Sequence, residues 1–235
     1  MYDQALFLQT LSRFAVVLPA RYDLPEALSE LTESVTAVLG LCGSWVTMAD
    51  DRHLRFVTSV SQAFAELERD HAQLHPFPCP CQDAYSTGEV VRVTDVRQES
   101  TRWPQFAASA TRLSVAGVVS NPMRLADRVV GALNLYSPQP RQWSDEDIAV
   151  AGVLADVATS YVVNASKLRQ QQQLSEQLQE ALNSRVIIEQ AKGITAHQHG
   201  LTLDQAYQRM RSHARGNNAS LRTVAEAIVA VGLQV

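Results

Sequence analysis

Apolar residues recur every three or four positions at both ends of the chain, and they alternate with polar residues in its middle part. The helical pattern of residues 4–39 predicts two helices, and Gly40 is placed to end the second. The same spacing returns in SQAFAELERDHAQL (61–74), which predicts another helix. Helices are therefore expected both before and within the part of the chain that carries strand patterns.

Short runs rich in Val, Thr and aromatic residues predict the strands. GSWVTMAD (43–50) and LRFVTSV (54–60) flank a polar turn and form a first candidate hairpin. EVVRVTDV (89–96) alternates as a single strand does, and residues 114–138 contain two apolar runs joined by Leu-Ala-Asp-Arg. Hairpins placed among helices favour an α+β fold with an antiparallel sheet.

Residues 144–193 contain no proline, and Ser144 with three acidic residues after it is a natural helix start. One long helix, straight or kinked, is predicted. A heptad register can be laid on it, with seam positions Leu154, Val157, Tyr161, Asn164, Leu168, Gln171, Ser175, Leu178, Leu182 and Arg185. Half of this seam is polar, so we expect a weak coiled-coil stalk that joins two copies of the chain with help from the flanking domains.

The last fifty residues are predicted to hold the end of this helix and two shorter ones. Gly200 is placed to end the first, Thr202 with Gln205 forms a capping box, and Ser220 can cap the last helix after the break at 216–218. The apolar positions that can close a small core here are Val186, Ile187, Ala191, Ile194, Leu203, Ala206, Met210, Ala214, Leu221, Val224, Ala225 and Ile228.

Charge is distributed unevenly along the chain. Residues 1–182 hold 14 Arg and Lys against 21 Asp and Glu, a net charge of −7, whereas residues 183–235 hold 6 against 3, a net charge of +3. A basic tail on an acidic body suits a polyanionic partner, although +3 over this length is also ordinary for a small domain.

The sequence predicts a cytoplasmic protein without a membrane partner. No uncharged apolar run reaches the length of about 18 residues that a membrane span requires, and the N-terminal segment is amphipathic and lacks a basic leader region. Three cysteines, an odd number, suggest a reducing compartment and no disulfide framework.

Three stretches of the tail, RVIIEQAKGI (185–194), TLDQAYQRMRSHARGNN (202–218) and LRTVAEAIV (221–229), together resemble an ANTAR domain. The resemblance implies a three-helix RNA-binding module of bacterial transcription antitermination regulators, with paired RNA stem-loops as the partner. Larger apolar residues are commoner in that family at Thr195 and Ala196. The candidate RNA-binding residues are Arg185, Lys192, Gly193, Arg211, His213, Arg215, Asn217, Asn218 and Arg222.

Gly193 lies in the interior of a predicted helix, where glycine costs about 1 kcal/mol relative to alanine. Its neighbour Lys192 is one of only two lysines in the chain. Two explanations stay open: tight packing of a neighbouring helix on Gly193, or close approach of an RNA backbone or an unstacked loop base while Lys192 contacts a phosphate or a base edge.

CPCQDAYSTGEVVRVTDV (79–96) and residues 114–156 resemble a GAF domain, a small α+β sensory fold. The resemblance divides the chain into a GAF-like domain at 1–163, a coiled-coil linker at 164–184 and an ANTAR-like domain at 185–235. It implies a sensor and a second contact between the two copies of a homodimer. No cofactor is expected, and a small-molecule ligand of the GAF-like domain is left open.

Two groups of residues in the GAF-like part are candidates for a metal site or a ligand pocket. His71, His75, Cys79 and Cys81 have a spacing tighter than that of structural zinc, so a loop with partly buried thiols is preferred to a metal site. The side chains of Trp45, Phe56, Phe106, Val118 and Leu133 could line a pocket, but an ordinary core is favoured.

The favoured function is a signal-responsive RNA-binding regulator that binds hairpin loops in leader transcripts and prevents transcription termination. The alternative is a DNA-binding transcription factor with a helix-turn-helix-like tail. Against it, the break HARGNNASLRT (213–223) is longer than a tight helix-turn-helix turn. The sequence shows no Gly-rich phosphate loop, no HExxH site and no nucleophile elbow, so we do not expect an enzyme.

Overall fold

The computed structural model describes residues 2–19, 22–50, 53–59 and 78–235, and the helix predicted over 61–74 lies outside them. The chain divides into two compact units, Met1–Ser166 and Lys167–Val235. The finer division at 163 and 184 stays a prediction.

Helices and strands follow the predicted α+β order. The first unit contains α1 (Gln4–Val17), α2 (Leu24–Leu39), β1 (Gly43–Asp50), β2 (His53–Ser59), α3 (Pro80–Thr87), β3 (Val91–Val93), a 3-10 turn (Val96–Glu99), α4 (Pro104–Arg112), β4 (Gly117–Leu125) and β5 (Arg128–Ser137). The helix α5 (Asp145–His199) begins in the first unit and ends in the second, where α6 (Leu203–Gly216) and α7 (Leu221–Val231) follow.

The described strands form one antiparallel sheet in the order β2-β1-β5-β4-β3. Both predicted hairpins are confirmed, and the second turns at Ala126, which adopts the left-handed conformation. The strand predicted over 89–96 is shorter, because Asp95 accepts a hydrogen bond from the Arg97 N–H and starts the 3-10 turn instead. A Cβ atom at Gly131 would overlap the Thr47 carbonyl oxygen, so this glycine permits the close pairing of β1 and β5.

Apolar side chains cover both faces of the sheet. One cluster packs α1, α2 and the first part of α5 against the sheet, and Leu133 and Leu135 belong to it. Strand side chains alternate, so the intervening residues face the other way. There they join an aromatic cluster, which we define as Trp45, Cys79, Trp103, Phe106, Val118 and Tyr136.

The sequence left open whether five apolar residues line a pocket or belong to an ordinary core, and the structure decides this for four of them. Trp45, Phe106 and Val118 are buried in the aromatic cluster, whereas Leu133 is buried in the cluster on the opposite face. They are therefore core residues and do not line one common pocket. The side chain of Phe56 lies outside the described part of the chain.

The single long helix is confirmed, and Ser144 starts it by accepting a hydrogen bond from the Asp147 N–H at 3.1 Å. The N-terminal part of the predicted coiled-coil seam is wrong, because Leu154 and Tyr161 are buried in the core of the first unit. The Tyr161 hydroxyl donates to the Phe14 carbonyl at 2.7 Å, and the Asn164 amide donates to the Leu18 carbonyl at 2.9 Å. Only the seam from Leu168 onward remains exposed.

By length and composition alone, α5 is also apolar enough to cross a membrane. Its apolar residues around Ala151, Leu154 and Ala158 are buried against the sheet and the first two helices. The apolar pattern is therefore accounted for by the core of the first unit.

Unfolding should respond to alkaline pH through Tyr161. Burial, followed by the nearby Tyr22 and Glu30, raises the pKa of Tyr161 from 10.0 to about 12. The neutral phenol is thus favoured in the folded chain, and its stabilising contribution is complete below pH 10 and lost as the pH rises towards 12. Urea titrations between pH 8 and 11 should show a smaller decline of the free energy of unfolding in Tyr161→Phe than in the wild type. Equal declines would contradict this assignment.

Candidate nucleic-acid interface

The second unit closes a small core from three helices. Each of the three helices contributes at least one buried apolar side chain. These side chains are Ala191, Ala206, Met210, Ala214, Val224, Ala225 and Ile228. The prediction was wrong for Val186 and Leu203, whose exposed fractions are 56% and 54%. In α5 it is the neighbouring Ile187, and not Val186, that packs against this core. Leu203 is the first residue of α6.

Local capping fixes the ends of these helices as predicted. Thr202 Oγ1 accepts from the Gln205 N–H at 3.3 Å while Gln205 Oε1 accepts from the Thr202 N–H at 2.9 Å, which completes the capping box. Gly200 has a φ of 63° and ends α5. Asn218 has a φ of 51°, and the amide of Asn217 donates to the His213 carbonyl at 2.9 Å. Both asparagines therefore have a structural role in the turn after α6.

Gly193 is exposed, and a Cβ atom added to it would meet no atom within 4 Å. The explanation by tight packing of a neighbouring helix is therefore wrong. The backbone of α5 is open to solvent at this position, and close approach of RNA to it stays a prediction.

Lys192 is mostly covered, with 15% of its side chain exposed. Its ammonium group donates to both carboxylate oxygens of Glu189 at 2.9 Å and lies 5.7 Å from the centre of the Tyr207 ring. Sequence reasoning missed both neighbours, although the i, i+3 spacing of Glu189 and Lys192 is a signal for such a pair. A phosphate that binds Lys192 must compete with Glu189.

Two arginines of the second unit are already bonded within it. Arg222 donates to Glu226 and to Glu180, each at 2.9 Å, and the hydrogen bond to Glu226 raises the pKa of Arg222 further. Arg209, which was not predicted as a binding residue, donates to the Val235 carbonyl. Arg222 is therefore better explained as a residue that joins α7 to α5 by ion pairs than as a residue available to contact RNA.

The remaining predicted cations are open. Arg185, Arg211 and Arg215 are exposed, and none of them pairs with a carboxylate among the described residues. Arg211 and Arg215 are four positions apart on α6 and share one face, and we call them the arginine pair. His213 between them is half-buried. The arginine pair is thus the strongest uncompensated positive charge on α6.

Thr195 fills a core position with an unsatisfied hydroxyl. Its side chain is 1% exposed, and Oγ1 has no hydrogen-bond partner in the part of the chain described. A buried polar atom without a partner costs about 1–3 kcal/mol. Thr195→Val keeps the shape, so it should raise the free energy of unfolding by about 1 kcal/mol in urea titrations.

The matched control for this change is Thr159→Val on the same helix. Thr159 is also buried, but its hydroxyl donates to the Ala155 carbonyl at 2.8 Å. The control should give no gain in stability. An equal gain in both variants would show that the unsatisfied hydroxyl is not the cause.

The first unit departs from the sequence prediction at its cysteines. Cys79 and Cys81 form a disulfide at the start of α3, so the preferred interpretation of a loop with partly buried thiols at these positions is wrong. Cys42 is free. His71 and His75 lie outside the described residues, so the preference against a metal site there stays a prediction; the described residues hold no cluster of three metal-ligating side chains.

Comparison with known proteins assigns both units. A GAF domain profile matches residues 22–163, and an ANTAR domain profile matches residues 176–229. The fold of the first unit and the two domain matches define a sensory domain joined to a regulatory output domain. The chain belongs to the GAF domain family and carries an ANTAR domain behind it. This composition is that of a signal-responsive regulator.

Solved structures share the fold of the first unit. The GAF domain of a phosphoenolpyruvate-protein phosphotransferase from Coxiella burnetii has a TM-score of 0.55 and 13% identity, covering 72% of this chain and 99% of its own. Free methionine-R-sulfoxide reductase from Neisseria meningitidis, in complex with its substrate, has a TM-score of 0.52 and 18% identity, covering 71% and 95%. A GAF domain from Synechocystis in its photoproduct state has a TM-score of 0.53 and 18% identity, covering 64% and 99%. No curated protein matches the sequence.

Proposed function

We propose that this chain is an RNA-binding regulator that binds hairpin loops in leader transcripts and so prevents transcription termination. The observation that carries the proposal is the open backbone at Gly193, beside Lys192, in an ANTAR domain whose α6 bears the arginine pair. RNA loops present splayed bases and phosphates, which an exposed helix backbone and arginine side chains can contact closely.

We further propose that two copies associate through α5. Four leucines of this helix, Leu168, Leu174, Leu178 and Leu182, have exposed fractions between 45% and 58%. Burying them in a second copy would remove apolar surface from water, and it would join two ANTAR domains. Two weak loop contacts then gain affinity through effective concentration on an RNA with paired stem-loops.

The proposal places the protein in the cytoplasm, where leader transcripts are made, and gives it no catalytic role. Both matched families are regulatory. The likeness to a reductase is a likeness of fold at 18% identity, and it transfers no activity. The input signal enters through the GAF domain and acts only by a difference in affinity for two arrangements of the chain.

Binding titrations at defined salt test the RNA proposal. The full chain would be titrated into an RNA with two adjacent small hairpins, the same RNA with scrambled loops, and duplex DNA. We expect tight binding to the first RNA only. Binding to duplex DNA alone would favour a DNA-binding regulator, and equal binding to all three would reduce the proposal to general attraction of polyanions.

Removing the carboxylate that holds Lys192 should strengthen RNA binding. Glu189→Gln frees the ammonium group and removes a negative charge that repels phosphate, so affinity for the paired hairpins should rise about 2- to 5-fold, the size expected for one partly exposed ion pair. Fluorescence anisotropy measures the change. Glu176→Gln, at an exposed position of the same helix, is the control and should leave the affinity unchanged. Equal effects of both would indicate net charge alone.

A further inference from the structure

The Cys79–Cys81 disulfide is poorly explained as a brace for the fold. It joins residues two positions apart, and the stabilisation that a disulfide provides through the unfolded chain grows with the length of the loop it closes. Its place in the structure is more informative. Cys79 is buried in the aromatic cluster and precedes α3, whereas Cys81 in the first turn of that helix is only half-buried.

The two sulfur atoms differ in their surroundings. Cys79 Sγ accepts a hydrogen bond from the Gln82 N–H at 3.3 Å and caps the N-terminus of α3. A helix N-terminus stabilises a thiolate, which makes Cys79 the better leaving group. The half-buried Cys81 is the sulfur that a small thiol can reach. Burial and leaving-group stability therefore both favour opening of the bond by attack at Cys81.

We propose that Cys79 and Cys81 form a reversible redox site of the GAF domain, opened by small thiols and closed by hydroperoxides. In the opening reaction a small thiolate attacks Cys81 Sγ, the S–S bond breaks, and Cys79 leaves as a thiolate that takes up a proton. A second small thiol displaces the first from Cys81. Two small thiols thereby lose two electrons and become one disulfide, while the two cysteines gain two electrons and two protons.

The closing reaction uses the same two sulfurs. The Cys81 thiolate attacks a hydroperoxide, the O–O bond breaks, and the products are a sulfenic acid on Cys81 and an alcohol or water. The Cys79 thiolate then attacks the sulfenic sulfur and releases water, which restores the disulfide. The distance constraint is met, because the two Cα atoms lie 5.4 Å apart.

The third cysteine provides an internal contrast. Cys42 Sγ donates to the Tyr136 carbonyl at 3.2 Å, and burial raises the pKa of its thiol. It is the one cysteine outside the disulfide. Cys42 should therefore remain a thiol under the conditions that oxidise the other two.

The pair is tied to the aromatic cluster through the first turn of α3. Asp83 pairs with Arg102 at 2.7 Å, and the Arg102 guanidinium lies 4.3 Å from the centre of the Trp103 ring. Trp103 and Cys79 belong to the same cluster. Opening of the disulfide thus changes a covalent constraint at a point where α3, α4 and the sheet face meet.

Counting alkylated cysteines in the full chain tests the site. The protein is treated with hydroperoxide or with a small monothiol under native conditions, quenched in denaturant with an alkylating agent, and weighed by mass spectrometry. We expect one alkyl group after peroxide and three after the monothiol. Three groups after peroxide, or one after the monothiol, would overturn the proposal.

Single substitutions identify the cysteines involved, and none of these readouts depends on RNA binding. After the monothiol, Cys79→Ser and Cys81→Ser should each carry two alkyl groups. After peroxide, Cys81→Ser should still carry two, whereas Cys79→Ser should carry one alkyl group and an oxidised Cys81, because its sulfenic acid has no second thiol to react with. Cys42→Ser should carry no alkyl group after peroxide and two after the monothiol. A short pulse of monothiol on the wild type, quenched with acid and mapped by peptide, should place the mixed disulfide on Cys81. An adduct on Cys79 would contradict the proposed direction of attack.

Discussion

Replacing both residues of the arginine pair by alanine should weaken binding to the paired hairpins by at least about 30-fold at fixed salt, because each lost phosphate or base contact costs roughly 1–3 kcal/mol. Arg211 and Arg215 are exposed, uncompensated by carboxylates among the described residues, and on one face of α6. The slope of affinity against salt concentration should also become shallower, since fewer counterions are released. Anisotropy titrations at several salt concentrations measure both effects.

Arg209→Ala is the matched control for this variant. Arg209 lies on the same helix about 160° around from Arg211, as the period of 3.6 residues requires, and it donates to the Val235 carbonyl. It should lower the affinity much less. If Arg209→Ala costs as much as the double variant, the contact face of α6 has been chosen wrongly.

Arg141→Ala should lower the free energy of unfolding of the first unit by about 2–4 kcal/mol, since it removes an ion-pair partner of a buried carboxylate. Arg141 donates to Asp147 Oδ2 at 3.1 Å and to the Leu39 carbonyl at 2.8 Å, and it lies 4.6 Å from the centre of the Trp143 ring. The side chain of Asp147 is 4% exposed. Urea titrations followed by tryptophan fluorescence measure the loss.

The control uses an exposed ion pair that also involves the start of α5. Arg92 pairs with Asp145 at 2.9 Å, with 45% and 93% of the two side chains exposed, so Arg92→Ala should cost less than about 1 kcal/mol. Adding Asp147→Asn to Arg141→Ala should recover part of the stability by removing the buried charge. Equal losses for the two single arginine variants would refute the argument from burial.

Local signals predicted most of the fold. The two hairpins, the end of α2 at Gly40 and the capping box at Thr202 depend on residues close together in the sequence, so the sequence alone predicts them. Periodicity was less informative in α5. The spacing of Leu154 and Tyr161 fits a coiled-coil seam and a core-facing helix equally well, and only the tertiary structure distinguishes the two.

The candidate interface was predicted less completely. The sequence shows which residues are charged, but it does not show which of them form ion pairs in the folded protein. Arg222 and Glu180 are 42 positions apart, and no local pattern predicts their ion pair. Lys192 and Glu189 are three apart and could have been paired from the sequence. The spacing of Cys79 and Cys81 is compatible with thiols, a metal or a disulfide, so it did not reveal their bond.

The division of α5 into a buried and an exposed apolar part separates two equilibria. Leu154 and Tyr161 are committed to the core of a single chain, so the folding of the first unit should be independent of protein concentration. Association through the exposed leucines from 168 to 182 would instead follow mass action, and dilution would weaken it without unfolding the sensor. The amount of regulator in the cell would then set how many ANTAR domains act in pairs, in addition to any signal that the GAF domain receives.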